Sequence, residues 1–246
     1  MLSVELSPNK FIYSHSSILL GYVRRFFNNQ NGAIVMKMLV VGDIHGKDKA
    51  LASTLEYMEK HNPDMLIICG DITNFGPVDW AKKFLNAIPI KTLAVPGNCD
   101  PEGVLNSIGE TNAINMHRMK KEIGGILFVG LGGSNHTPFN TPFERTEEQI
   151  YDWLDALVEK DSVLILHAPA RGHVDIAGAR GHAGCEAIAK IVKKHKPRLV
   201  LSAHIHEGRG VENEDGTVFV NPGPAKDGYA AIVKIEGEDI STELLG

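Results

Sequence analysis

The sequence predicts an α/β protein built on mixed β-sheet. Continuous apolar runs such as KMLVVG, DMLIICG and KTLAV alternate with helical stretches from residue 37 onward, as expected of strands buried in a sheet that helices cover. The end of the chain changes character. There, GRGVENEDGTVFVNPG carries an Asp-Gly turn between β-like runs and YAAIVKIEG follows as another strand, so hairpins replace helical crossovers. This combination favours a mixed sheet arrangement over a simple doubly wound sheet.

The elements follow in order. KMLVVG leads into DKALASTLEYMEKH, in which Leu51, Leu55 and Met58 recur at helical spacing and Pro63 follows the end. DMLIICG, the helix VDWAKKFLNAI and the strand KTLAV complete this first series. A second series opens with GILFVGLGG. Its helix, entered through Thr146 and Gln149 at capping-box spacing, is expected to run to about Lys160. VLILH is then a buried strand, EAIAKIVKKH a helix stopping at Pro197, and RLVLSAHIH a strand again.

Composition bounds the function classes. With 43% apolar and 22% charged residues among 246, the chain can bury a full core, and no linker composition divides it. One domain over residues 37–246 is expected. A net charge of -5 with only short lysine clusters excludes a basic tract for a nucleic-acid backbone. Three cysteines at unrelated spacings, Cys69, Cys99 and Cys185, fit a reducing cytoplasm rather than a disulfide framework. Homo-oligomerisation stays open.

Residues 1–36 read differently. The apolar run ILLGYV is too short to span a bilayer, and neither a basic start nor a small-residue cleavage site marks a secretory signal. An amphipathic surface anchor using Phe26, Phe27 and the pair Arg24 and Arg25 is one reading. The favoured reading is an N-terminal extension, disordered or arising from a mis-assigned start, with Met36 or Met38 as the natural first residue.

Polar groups stand where apolar runs stop. LVVGDIH gives Asp43 and His45, LIICGD gives Asp71, LAVPGN gives Asn98, VLILH gives His167, and LVLSAHIH gives His204 and His206. In open α/β sheets such strand ends converge on one site. Two carboxylates, one amide and four imidazoles suit Mn, Fe, Zn or Ni. Seven donors are too many for one ion; with Asp71 shared they divide over two, held about 3.5–4 Å apart as in phosphoryl chemistry. In D-I-H and H-I-H, side chains two apart on an extended segment point the same way, so each pair addresses one site while the isoleucine packs inward. A lone D-x-H or G-N is more often structural. The joint, ordered occurrence carries the reading.

GDIHG, GDITN, GNCD, HAP and AHIH, in this order, resemble the calcineurin-like metallophosphoesterase family over essentially residues 37–246. The resemblance implies a four-layered αββα sandwich of two mixed sheets. It also implies Asp43, His45 and His206 on a first metal, Asn98, His167 and His204 on a second, and Asp71 bridging. More loosely, GGSNHTPFNTPFERTEEQI and AHIHEGRG are similar to a small prokaryotic, archaeal-type subgroup. Two divalent ions (Mn, Ni, Fe or Zn) would then activate a bridging water or hydroxide against a small phosphoester. A phosphodiester is favoured. The alternatives are phosphomonoesterase or protein phosphatase activity, and a non-catalytic scaffold on the same fold.

One position departs from the family pattern. Most members carry histidine where this chain has Cys99, and three readings stay open for the thiol: general acid, added ligand, or a replacement that narrows substrate choice. Asn74, often Asp in relatives, would support the missing histidine, and as a neutral residue it is consistent with Cys99; a simple turn residue is the other reading. Asn98, Cys99 and Asn74 are thus the candidate catalytic residues. Softer candidates are Ser134, Asn135 and His136 after a strand end, and Arg171, His173, Arg180 and His182 in the glycine-rich loop after His167.

Overall fold

The computed structural model describes residues 34–246. Six strands form the first sheet: β1 (Val35–Val41), β2 (Met65–Cys69), β3 (Thr92–Val95), β4 (Ala113–Asn115), β13 (Ala230–Glu236) and β14 (Asp239–Leu245). Their order is β14-β13-β1-β2-β3-β4, parallel from β1 to β4 and antiparallel where the terminal hairpin joins β1. The second sheet holds β5 (Met119–Ile123), β6 (Ile126–Leu131), β9 (Val163–Leu166), β10 (Leu199–Leu201), β11 (Gly210–Glu214) and β12 (Thr217–Asn221). Its order is β11-β12-β10-β9-β6-β5, antiparallel at both edges.

Alternation along each strand builds the layers. Met38 and Val40 of β1 and Met65, Ile67 and Cys69 of β2 face Phe128, Ile165 and Leu201 of the other sheet, all fully buried. Leu39, Val41, Leu66 and Ile68 point the other way, under helices α1 (Asp48–His61), α2 (Val78–Ala87) and α3 (Glu102–Gly109). Helices α4 (Glu147–Asp155) and α5 (Glu186–His195) cover the outer face of the second sheet. The expected four-layered αββα sandwich of two mixed sheets is what forms. A short parallel pair, β7 (Ser134–Asn135) with β8 (Glu144–Arg145), closes a loop beside it.

Some expectations are corrected. Strand β1 opens at Val35, where Gly237 N donates to Ile34 O at 2.9 Å. The reading of the N-terminal extension falls, for residues 1–33, outside the described residues. Helix α4 has the Thr146–Gln149 capping box but ends at Asp155, short of Lys160. In α1 the buried stripe is Ala50, Thr54 and Met58, while Leu55 is exposed. Thr54 fits there because its hydroxyl donates to Ala50 O at 2.6 Å. Strand β5 had no apolar signal: its sequence MKKEI is exposed except at Ile123, as suits an edge. No helix among the described residues is long and apolar enough to cross a membrane.

Phe128 is fully buried in the layer between the sheets. Phe128→Ala is expected to lower the unfolding free energy by about 3–5 kcal/mol, measured by equilibrium urea denaturation. A loss under 1 kcal/mol, on the order of a surface substitution, would contradict the buried place of this side chain.

Candidate metal centre

The carboxyl ends of β1, β2, β3, β9 and β10 meet at one edge of the sandwich. Strand β1 ends at Val41, and the segment after it turns sharply, since Asp43 and His45 have φ of 52° and 49°. Asp71 and His204 adopt the same left-handed region, at 49° and 69°. The D-I-H and H-I-H segments are therefore not extended, and their donors converge through tight turns rather than through strand alternation. Backbone bonds hold the turns: Asp43 N donates to Gly70 O at 3.1 Å and His45 N to Asp71 O at 2.8 Å. Ile44 still packs into the core. Left-handed non-glycine residues cost on the order of 1–3 kcal/mol each and persist only where their surroundings over-determine them.

Six of the seven expected donors form two facing groups around Asp71. On one side His45 Nε2 lies 3.4 Å from His206 Nε2 and 3.7 Å from Asp71 Oδ2, and His206 Nε2 lies 3.6 Å from Asp43 Oδ1. On the other, His167 Nε2 lies 3.5 Å from Asp71 Oδ1 and 2.7 Å from Asn98 Oδ1. The seventh, His204, meets the His167 ring edge-on at 4.9 Å between centroids, and its backbone N donates to Asp43 Oδ2 at 3.0 Å. The H-I-H pair is thus split between the two sides.

The donor arrangement fits divalent cations. Asp43 Oδ1 is buried without a hydrogen-bond partner among the described residues. His167 Nδ1 donates to Cys69 O at 2.7 Å, so in the neutral ring Nε2 carries a lone pair, yet it faces the Asn98 oxygen. Two acceptors turned toward each other are repulsive unless positive charge lies among them. An ion bound by imidazole at about 2.0–2.1 Å sets neighbouring donors roughly 3–3.5 Å apart, close to the 3.4–3.7 Å spacings around His45, His206 and Asp71, while His167 and Asn98 stand nearer at 2.7 Å. Electrostatics point the same way. Burial pushes Asp71 up to about 7, with Asp100 and Asp43 adding to it and His167 opposing. Burial likewise holds His45 down at about 4 and His204 at about 3, keeping both imidazoles neutral as ligation requires. Asp43 is also opposed by burial, but His206 close beside it and the neighbouring histidines bring it down to about 2.

Cys99 is half-buried beside this cluster, its sulfur near His45 and Asp71. Its backbone N donates to Asp71 Oδ1 at 2.8 Å, and its carbonyl accepts from Phe75 N at 3.0 Å. Burial raises the thiol well above its ordinary range, and the Asp71 charge adds to that. Asn74 is not brought in: it is exposed, and its side chain makes no hydrogen bond among the described residues. The softer candidates are scattered. Ser134 Oγ donates to Asn135 O at 2.8 Å, Arg171 pairs with Glu186 at 3.0 Å, His182 pairs with buried Asp175, and Arg180 is exposed. His173 stacks on Phe219 between Glu212 and Glu214.

Sequence reasoning missed three residues. Asp100 is buried and accepts from Gly97 N at 2.8 Å, Ile72 N at 3.0 Å, and both Thr73 N and Thr73 Oγ1 at 2.7 and 2.8 Å. It ties the loop carrying Asp71 to the loop carrying Asn98. Thr141, in the loop between β7 and β8, and Glu144, at the start of β8, approach from one side: Asn98 Nδ2 donates to Thr141 Oγ1 at 2.9 Å, and Thr141 Oγ1 to Glu144 Oε1 at 2.6 Å. Their only trace in the sequence is a T-x-x-E spacing, a helix-start signal at a place where no helix starts.

The family model for calcineurin-like phosphoesterase matches residues 36–208. The chain belongs to this family. It is 38% identical to the Methanocaldococcus jannaschii protein MJ1162 over 77% of its own length and 88% of that protein's. It is 34% identical to the Escherichia coli phosphodiesterase YfcE, over 28% of this chain and 42% of YfcE. Among solved structures, the Thermus thermophilus protein TT1561 matches with a TM-score of 0.67 at 18% identity, over 85% of this chain and 98% of that one. That likeness shows the shared fold. Family membership makes the protein a metal-dependent phosphoesterase in class, and the Asp and His groups are where divalent ions fit.

Glu144 yields a pH prediction. Its side chain is 7% exposed. Burial opposes its charge, but hydrogen bonds from Thr137 and Thr141 outweigh that and bring it from 4.5 down to about 2. A depressed carboxyl contributes stability that is present above its unfolded pKa and lost as pH falls through the folded one. Wild type is therefore expected to lose on the order of 3 kcal/mol more than Glu144→Ala as pH falls from about 4.5 toward 2. Urea denaturation of both proteins across that range tests it, and parallel pH dependences would refute it.

Proposed function

We propose that the protein hydrolyses phosphodiesters at a two-ion centre. The observation that carries this is Asp71, whose Oδ2 faces His45 at 3.7 Å while its Oδ1 faces His167 at 3.5 Å. Asp43, His45 and His206 would hold one ion, Asn98, His167 and His204 the other, with Asp71 shared. Divalent ions bound there, Mn, Ni, Fe or Zn by donor type, supply a water of lowered pKa as nucleophile and draw off charge from the phosphoryl oxygens.

The chain's own residues supply placement and discrimination. Asp100 fixes the backbone just after Asp71 and just before Asn98, so neither donor needs to reorganise as charge develops. His167 is held in one tautomer by the Cys69 carbonyl. Cys99 presents a neutral thiol where most of the family has an imidazole. A phosphomonoester dianion carries one more negative charge than a diester and gains most from a cationic donor at its leaving oxygen. The thiol gives no such cation. A diester monoanion loses less by its absence, and the likeness to YfcE, named a phosphodiesterase, supports the same choice.

Purified protein with Mn or Ni is expected to turn over a nitrophenyl phosphodiester faster than the monoester, and a chelator to abolish both activities. Cys99→His is expected to raise monoester hydrolysis. Absence of turnover with every divalent metal removes the enzymatic reading in favour of a scaffold. A wild type that prefers the monoester assigns it to the phosphatases instead.

A further inference from the structure

We infer that Glu144, acting through Thr141, is the positioning residue that turns the carbonyl oxygen of Asn98 toward the metal centre. The inference rests on Asn98 being a ligand, as in the proposed function. Asparagine differs from the other donors in having unlike ends: its oxygen can ligate a cation, whereas its NH2 group only donates hydrogen bonds. The two orientations of the amide fill nearly the same space, so packing alone does not choose between them. Hydrogen bonding must choose.

The chain of donors has one consistent direction. Asn98 Nδ2 lies 2.9 Å from Thr141 Oγ1, which lies 2.6 Å from Glu144 Oε1. A threonine hydroxyl has a single proton, and an ionised carboxylate can only accept. The proton of Thr141 therefore goes to Glu144. What Thr141 offers Asn98 is a lone pair, which only the NH2 end can use, and the oxygen is left facing inward, 2.7 Å from His167 Nε2.

Glu144 is itself fixed as an acceptor. Its Oε1 also accepts from Thr137 Oγ1 at 2.6 Å and from Thr141 N at 2.9 Å, while Oε2 lies 3.3 Å from His136 Nδ1. The same loop grips the backbone of Asn98, since Phe143 N donates to Asn98 O at 3.0 Å. With Glu144 removed, the Thr141 hydroxyl can donate to Asn98 instead. The amide then turns and presents its hydrogens to the ion.

The test uses the full chain and three substitutions: Thr141→Val, which keeps the shape without the hydroxyl, Thr141→Ser, which restores it, and Asn98→Asp. Equilibrium dialysis against Mn(II) with metal analysis reads ion affinity, and NMR exchange of the Asn98 side-chain amide protons in metal-free protein reads orientation. Thr141→Val is expected to weaken ion binding by roughly 10–100-fold and to speed amide exchange, and Thr141→Ser to restore both. In the Asn98→Asp background Thr141→Val is expected to cost no further affinity, because a carboxylate has oxygen at both ends.

Wild-type affinity in Thr141→Val overturns the inference. So does an equal loss in the Asn98→Asp background, which would make Thr141 merely a packing residue. If wild type binds no ion, the two-ion reading itself falls. The relay is then decided by the amide protons, with unchanged exchange in Thr141→Val against it and faster exchange reversed by Thr141→Ser for it. Should Thr141→Val fail to fold, Thr141→Ala is read in the same way.

Discussion

The site depends on how closely the ends of the two sheets approach each other. His167, at the end of β9 in the second sheet, donates through Nδ1 to the carbonyl of Cys69 at the end of β2 in the first. That bond leaves no room for a side chain at the next residue. A Cβ on Gly70 would lie 2.6 Å from His167 Nδ1 and 2.7 Å from Gly97 Cα, and one on Gly97 would lie 2.0 Å from Asp71 Oδ1. Gly70 also has φ of +88°, which a side chain strains in any case. Two glycines in the motifs GD and GN thus let five strand ends share one small volume.

Convergence on that scale is unfavourable without a cation. Asp43, Asp71 and Asp100 are all buried near one another, and burying carboxylates together raises the free energy of the folded chain. Asp100 is compensated by its four hydrogen bonds from Gly97, Ile72 and Thr73. Asp43 and Asp71 are compensated less completely: Asp43 Oδ1 has no hydrogen-bond partner among the described residues, and Asp71 is driven up to about 7. The left-handed backbone at Asp43, His45, Asp71 and His204 adds strain. Fold stability and ion binding are therefore linked, since binding relieves a cost that folding has already imposed. The surrounding four-layered core supplies the free energy that keeps the donors in place meanwhile.

Legibility in the sequence followed physical range. Strands β1, β2, β3, β9 and β10 are buried on both faces, so they wrote themselves as continuous apolar runs. The donors ending those runs were readable for the same reason. Strand β5 was not, because an exposed edge has no apolar face to record. The α1 stripe was misread at Leu55 because a threonine that satisfies its hydroxyl locally can occupy the buried face. Asn74 was drawn in by the resemblance, as the position that supports the histidine replaced here by Cys99, yet it faces solvent. Asp100, although inside the GNCD stretch, showed no sign of its four backbone and side-chain donors, three of which come from residues 27 or 28 positions earlier. Thr141 acts on Asn98 from 43 residues away through a hydrogen bond alone, with Glu144 behind it, and spacing says nothing about such bonds.

The seven donors differ in how much help they need from the rest of the chain. A carboxylate such as Asp71 offers oxygen at both ends, and here it uses both, one toward each group. An imidazole needs one choice, its tautomer, and for His167 a backbone carbonyl makes it. An amide needs a choice that backbone geometry does not make, because exchanging its oxygen and nitrogen leaves the shape unchanged. A polar partner of fixed direction must be supplied, and a hydroxyl alone does not suffice, since it donates or accepts according to its own neighbours. Only a group that cannot donate ends the regress. Among the residues linked to Asn98 through Thr141, that group is the Glu144 carboxylate, and the pairing of β8 with β7 places it there.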